Sequence, residues 1–163
     1  MTILAYERNA NGTSTREDAP TARLAYARAA MTQISPMLAV GDGKAAIAFY
    51  QQAFGATVRW LIDAGGHVVA GLEIGGAEFF LADESPPHGT RGPAPAGFTT
   101  VRLELFVDDP EATHARAVAA GATARSPVTR YDYPTTSGTQ LRMLQGSVID
   151  PFGHIWLIGK FLD

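Results

Sequence analysis

The chain of 163 residues has no cysteine. That excludes disulfides, thiolate metal ligands and a cysteine nucleophile, and it is compatible with a cytoplasmic setting. Charge of either sign is scarce: 13 Lys and Arg face 16 Asp and Glu, for a formal net charge of −3. Such a chain has no basic field to attract nucleic acid or an anionic membrane, so neither is an expected partner. No run of about eighteen apolar residues is present, so no helix is expected to span a bilayer. The N-terminus lacks the charged-then-apolar order of a signal peptide. No Gly-rich loop leads from a strand into a helix to cradle phosphate, and no Ser or Thr sits in a nucleophile elbow. The length suits one well-buried domain.

The first thirty residues stand apart. Residues 7–20 are polar and turn-rich, and 21–31 have the composition of a short Ala/Arg helix. An extension over 1–32 is therefore separated from a domain over 33–163; it is either a true appendage or residue preceding a natural start at Met31. From Ile34 the pattern becomes regular. Residues 34–40 read as a strand, and 44–54 as a helix with Ile47, Tyr50 and Phe54 at helical spacing, stopped by Gly55. Strands follow at 57–63, 67–74 and 77–83, the last two joined at Gly75-Gly76. Residues 84–99 hold four of the ten prolines and read as a linker with no element of its own. The order then repeats over 100–161. A strand at 101–107 leads to a helix capped by Asp108 or Asp109 that ends at Gly121, then to a strand at 122–128 and a long loop at 130–139. A hairpin of 142–150 and 154–161 closes the chain.

The two halves align. Residues 40–57 (VGDGKAAIAFYQQAFGAT) match 107–123 (VDDPEATHARAVAAGAT) with one deletion, sharing Val-x-Asp, a helix and Gly-Ala-Thr. This predicts an α+β fold of two β-α-β-β-β modules, 34–83 and 100–161, burying one core. In the strand 101–107, Val101, Leu103, Leu105 and Val107 face one way and Arg102, Glu104 and Phe106 the other. The second face suits either solvent or a pocket, and Arg102 and Glu104 stand close enough to pair with each other.

Residues 46–58, 107–122 and the Asp-Pro-Phe-Gly-His-x-Trp segment within 148–158 resemble the vicinal oxygen chelate superfamily, which includes glyoxalase I, bleomycin-resistance proteins and extradiol dioxygenases. Their wording is most similar to its PhnB-like branch. The resemblance implies paired modules whose strands curve into an open cup with helices outside, and a homodimer. In enzymatic members it also implies a divalent metal held by His, Glu or Gln, two from each module. Carried over, those positions fall on Ser35, Gly71, Arg102 and Leu157, with Glu73 two residues beyond Gly71 on the same face. Arginine repels a cation, and Gly and Leu side chains offer no donor atom, so no metal and no other cofactor is expected.

The chemistry left is a pocket. Arg102 is a candidate anion anchor and Glu104 a hydrogen-bond acceptor or base; Trp60, Phe106, Tyr131, Tyr133 and Trp156 are candidate aromatic lining, with Glu73 beside them. His154 follows a tight turn, where it is structural or lines the rim. His67, His88 and His114 read as surface residues, and Asp83-Glu84 as a solvated pair. The expectation is a metal-independent protein that holds a small organic ligand in an aromatic-lined cup. The alternative is a lyase, isomerase or dioxygenase that uses a displaced metal, or Glu104 and Arg102 as acid/base and anion anchor.

Overall fold

A computed structural model describes residues 32–163; the short helix expected over 21–31 lies outside them. The first module runs β1 (Met37–Val40), α1 (Gly43–Phe54), β2 (Thr57–Ala64), β3 (His67–Ile74) and β4 (Ala77–Asp83). After a 3-10 turn (Pro86–His88) and a short helix α2 (Pro93–Ala96), the second runs β5 (Arg102–Phe106), α3 (Pro110–Ala119), β6 (Thr123–Pro134), β7 (Gln140–Ile149) and β8 (Ile155–Leu162). The sheets have orders β1-β4-β3-β2 and β5-β8-β7-β6. In each, the first strand pairs parallel with the last and the other pairs are antiparallel. The repeated segments are thus the same unit built twice in an α+β fold.

Local chemistry sets the element ends. Asp42 caps α1 by accepting from the Ala45 N–H at 3.0 Å, and Asp109 caps α3 by accepting from Ala112 N–H at 2.9 Å, with Pro110 in the first turn. Asp83 is not a solvated residue. Its two oxygens accept from Gly43 N–H at 2.6 Å and Val68 N–H at 2.7 Å, tying the start of α1 to β3. Glu84 likewise accepts from Gly92 N–H at 3.0 Å.

Three segments depart from the sequence pattern. β1 covers only 37–40, because Pro36 interrupts it and Ile34 is exposed. The segment 84–99 carries two short helical turns, and Ala94 N–H donates to the Phe152 carbonyl at 3.1 Å, so the linker is fastened to the second module. The first half of the expected loop at 130–139 is strand: β6 continues to Pro134 after register shifts between Ala124 and Ser126 and between Ser126 and Thr129. Here charged and aromatic residues alternate. Arg130 donates to Asp132 on one face, while Tyr131 and Tyr133 stack in parallel with centroids 5.7 Å apart on the other.

The modules meet through their helix-bearing sides. Tyr50 of α1 lies 5.5 Å from Trp156 of β8, Phe54 lies 4.8 Å from it and Phe79 of β4 5.8 Å. Asp150 sits in this cluster, 3% exposed. One of its oxygens accepts from Tyr50 O–H at 2.7 Å and Trp156 Nε1–H at 3.0 Å; the other accepts from the backbone N–H groups of Phe152 and His154, both at 2.9 Å. Burial first, and the neighbouring Asp150 charge second, push the Tyr50 hydroxyl well above its ordinary value of 10.0. Above pH 10 an unfolded Tyr50 has lost its proton while the folded one keeps it, so the unfolded state binds fewer protons and stability falls as pH rises. Below that pH the contribution is fully present. Urea unfolding between pH 9 and 11 should therefore weaken more steeply for the native chain than for Tyr50→Phe, in which this proton is absent. Equal slopes would refute the assignment.

Candidate functional site

Among the described residues an open recess has a volume of roughly 790 Å³, within the range of small-molecule sites. It lies where the end of β5 and the start of α3 meet β8, with the turn from Ile74 to Ala77 as its far rim. Strand parity explains its lining. Leu103 and Leu105 of β5 pack toward the core, so Glu104 and Phe106 are presented on the opposite face. On β8, Phe161 shares the parity of Leu157 and stacks on Phe106 at 4.4 Å and 20°. The two rings form the apolar wall, 44% and 53% exposed.

Polar groups surround that wall, and most are already engaged. Lys160 Nζ donates to the Asp108 carbonyl at 3.1 Å. Arg116 donates to the Ala53 carbonyl at 2.9 Å and Thr113 Oγ1 at 3.4 Å, and Asp109 is occupied as a helix cap. Glu104 differs. Its Oε1 accepts from Gln145 Nε2 at 2.7 Å, and its Oε2 takes no bond from the described residues. Arg102 is not paired with it; the amide of Gln145 takes that place.

Of the nine residues singled out in the sequence, the recess gathers Glu104 and Phe106, while Tyr133 lies on β6, paired with Leu141. Arg102 shares their face but lies outside the recess, level with Ile155. Trp60 and Glu73 belong to the first sheet, where Trp60 packs on Phe80 at 5.6 Å and Glu73 stands 3.7 Å from Arg59. Tyr131 lies on β6, paired with Met143. Trp156 is a correction, and His154 takes the structural of its two readings: both are buried on the core side. Trp156 donates to Asp150, and His154 Nε2 lies 2.9 Å from the Ala39 carbonyl, so each serves the junction between modules. The parity of β8 separates Trp156 from Leu157, and the same rule places Phe161 and Gln145, which went unremarked.

The other histidines are structural or exposed. His114 is half-buried, with Nε2 at 3.0 Å from the Ser126 carbonyl and 3.3 Å from that of Ser147, so it is not a surface residue. His88 Nδ1 meets Ser85 Oγ at 2.8 Å, and His67 is exposed at the start of β3. The four positions that the resemblance assigns to a metal do not fit one. Ser35 precedes β1. Gly71 lies under the indole of Trp60, and a Cβ there would overlap Trp60 Nε1. Leu157 sits level with Glu104 and Ser147 and brings no donor atom, and Arg102 brings a positive charge. Among the described residues, no three His, Asp or Glu side chains come together as a metal-ligand group.

Comparison with known proteins agrees with this fold. "Uncharacterized protein Mb0911c" of Mycobacterium bovis is 34% identical over 132 residues, covering 78% of this chain and 82% of that protein. A gene product of Arabidopsis thaliana is similar in structure, with TM-score 0.56 and 28% identity, over 80% of this chain and 99% of the other. TioX from Micromonospora sp. ML1 superposes with TM-score 0.58 at 25% identity, over 80% and 100% of the two chains. Residues 30–158 match the family model described as Glyoxalase/Bleomycin resistance protein/Dioxygenase superfamily, and it is to this superfamily that the chain belongs.

Proposed function

We propose that the chain is a metal-independent binding protein of the glyoxalase/bleomycin-resistance type that holds a small organic ligand. The observation that carries this reading is the Trp60 indole lying over Gly71: the third-strand metal-ligand position of the scaffold is filled by an aromatic ring. Leu157 and Arg102 point the same way in the second module. The recess beside Phe106 and Phe161 supplies what such a ligand needs, an apolar wall with a few polar anchors.

The same reading takes a second copy of the chain as its partner. Each module leaves large apolar side chains exposed outside the recess, among them Met37 and Ile62 in the first and Val101, Tyr133 and Leu141 in the second. Apolar surface of this kind on both modules favours association. Native mass spectrometry tests both parts. After incubation with Zn²⁺, Mn²⁺ or Ni²⁺ and desalting, the expected species is a dimer without a stoichiometric metal. A retained equivalent of metal whose removal abolishes turnover of a substrate would overturn the reading in favour of a displaced-metal enzyme, and a monomer at micromolar concentration would overturn the partner.

A further inference from the structure

We propose that the outer edge of β6 is where two copies of the chain join, pairing strand to strand and antiparallel about Tyr131. This rests on the second-copy reading above and gives it a surface. β6 ends its sheet, with β7 on one side and, among the described residues, no strand on the other. Such an edge presents a row of unpaired N–H and C=O groups, a template for a further strand. Which groups face outward follows from the hairpin. Thr135 N–H donates to the Thr139 carbonyl at 2.9 Å, and the register continues with Tyr133 opposite Leu141 and Tyr131 opposite Met143. Hydrogen-bonded and non-hydrogen-bonded pairs alternate along an antiparallel ladder. Tyr131 and Tyr133 therefore use their backbone groups on β7, and Arg130 and Asp132 turn theirs to the open side.

The strand is complementary to itself in one register. With Tyr131 opposite the partner's Tyr131, Arg130 faces the partner's Asp132 and Asp132 faces the partner's Arg130. These are the same residues whose N–H and C=O groups point outward, so charge and hydrogen bonding select one alignment. Within one arm Arg130 Nε already lies 3.0 Å from Asp132 Oδ2, and both side chains are exposed. Two arms then make a square of alternating sign, each charge having its opposite along its own strand and across the junction. Arg142 stands 3.7 Å from Asp132 on the β7 side, away from the junction. On the other face Tyr131 and Tyr133, stacked at 5.7 Å and 4°, lie beside the partner's Tyr131, where cross-strand aromatic contact adds to the pairing. The stretch is bounded at both ends. Pro134 has no N–H to donate, and β6 is irregular between Ser126 and Thr129. A short stretch centred on one residue closes two copies on each other and leaves none of this edge for a third.

Exchanging the charges tests this on the full chain, by sedimentation equilibrium and native mass spectrometry. Arg130→Asp sets like charges opposite each other across the junction, and so does Asp132→Arg. Each variant alone should dimerise at least about tenfold more weakly than the native chain. Mixed in equal amounts, the two should form a heterodimer, recognised by its mass, at close to native affinity. The double variant Arg130→Asp/Asp132→Arg, with the charges exchanged within one chain, should regain native dimerisation. Recovery in both cases separates loss of the junction from loss of the fold. If the native chain dimerises but the single variants dimerise equally well, or fail to recover on mixing, the β6 junction is overturned while the second-copy reading stands. A native chain that stays monomeric at micromolar concentration overturns both.

Discussion

Asp150→Asn is expected to destabilise the chain by about 3–5 kcal/mol, a large share of the total stability of a domain this size. The two oxygens of Asp150 receive four donors: Tyr50 O–H and Trp156 Nε1–H on one, the Phe152 and His154 backbone N–H groups on the other. An asparagine keeps the shape but replaces one oxygen by an NH₂. Whichever way it turns, two donors face a third donor in a site sealed by Phe54, Phe79 and Trp156. Each stranded buried donor costs about 1–3 kcal/mol. Tyr50→Phe leaves the acceptors intact and removes one donor, so its cost should be less than half as great. The midpoint of urea unfolding measures both. A loss below about 1 kcal/mol in Asp150→Asn would show that the four bonds do not hold in solution.

Gly153→Ala should be nearly as damaging, at about 2–4 kcal/mol, through two separable penalties. Gly153 has φ +91°, in the region that L side chains avoid, and a Cβ there would come within 2.5 Å of Ala94 N and 2.9 Å of Ala94 Cα. The obstacle is backbone, which yields only if α2 moves as a body. Gly138, with φ +83° and nothing within 4 Å, isolates the conformational part. Gly138→Ala should cost about 1–2 kcal/mol, and the excess at Gly153 reports the contact. That excess should come with faster proteolysis within 84–99, because the Ala94–Phe152 hydrogen bond is lost. Equal losses at the two glycines would mean that α2 is not seated on the turn.

The fold was legible because its signals are local and doubled. Helix caps at Asp42 and Asp109 and stops at Gly55 and Gly121 recur at matching places in two halves, and the Gly75-Gly76 turn of the first answers the Pro151-Phe152-Gly153 turn of the second. The site was less so, for a physical reason. Parity says which residues of one strand share a face, but not which strands lie together. Trp60 and Glu104 look equally available in sequence, yet they lie on separate sheets. Long-range polar contacts were equally hidden: Asp83 to Gly43 spans 40 residues and His154 to Ala39 spans 115. In the arm of β6, charge and aromatic alternation with no aliphatic residue from 129 to 134 concealed a strand that Tyr131–Tyr133 stacking and Arg130–Asp132 pairing hold in register.

The Tyr50–Asp150 bond joins residues 100 apart, which bears on how the chain acquires its structure with time. As synthesis proceeds, the whole first module leaves the ribosome before its central tyrosine has an acceptor, and the aromatic cluster around Tyr50 awaits Trp156. Closing so long a loop is entropically costly, and folds ruled by such contacts form slowly. The first module is therefore expected to collapse early but to lock late. Its refolding rate should be governed by docking of the last hairpin, so a chain truncated before residue 150 should remain exchange-labile throughout α1.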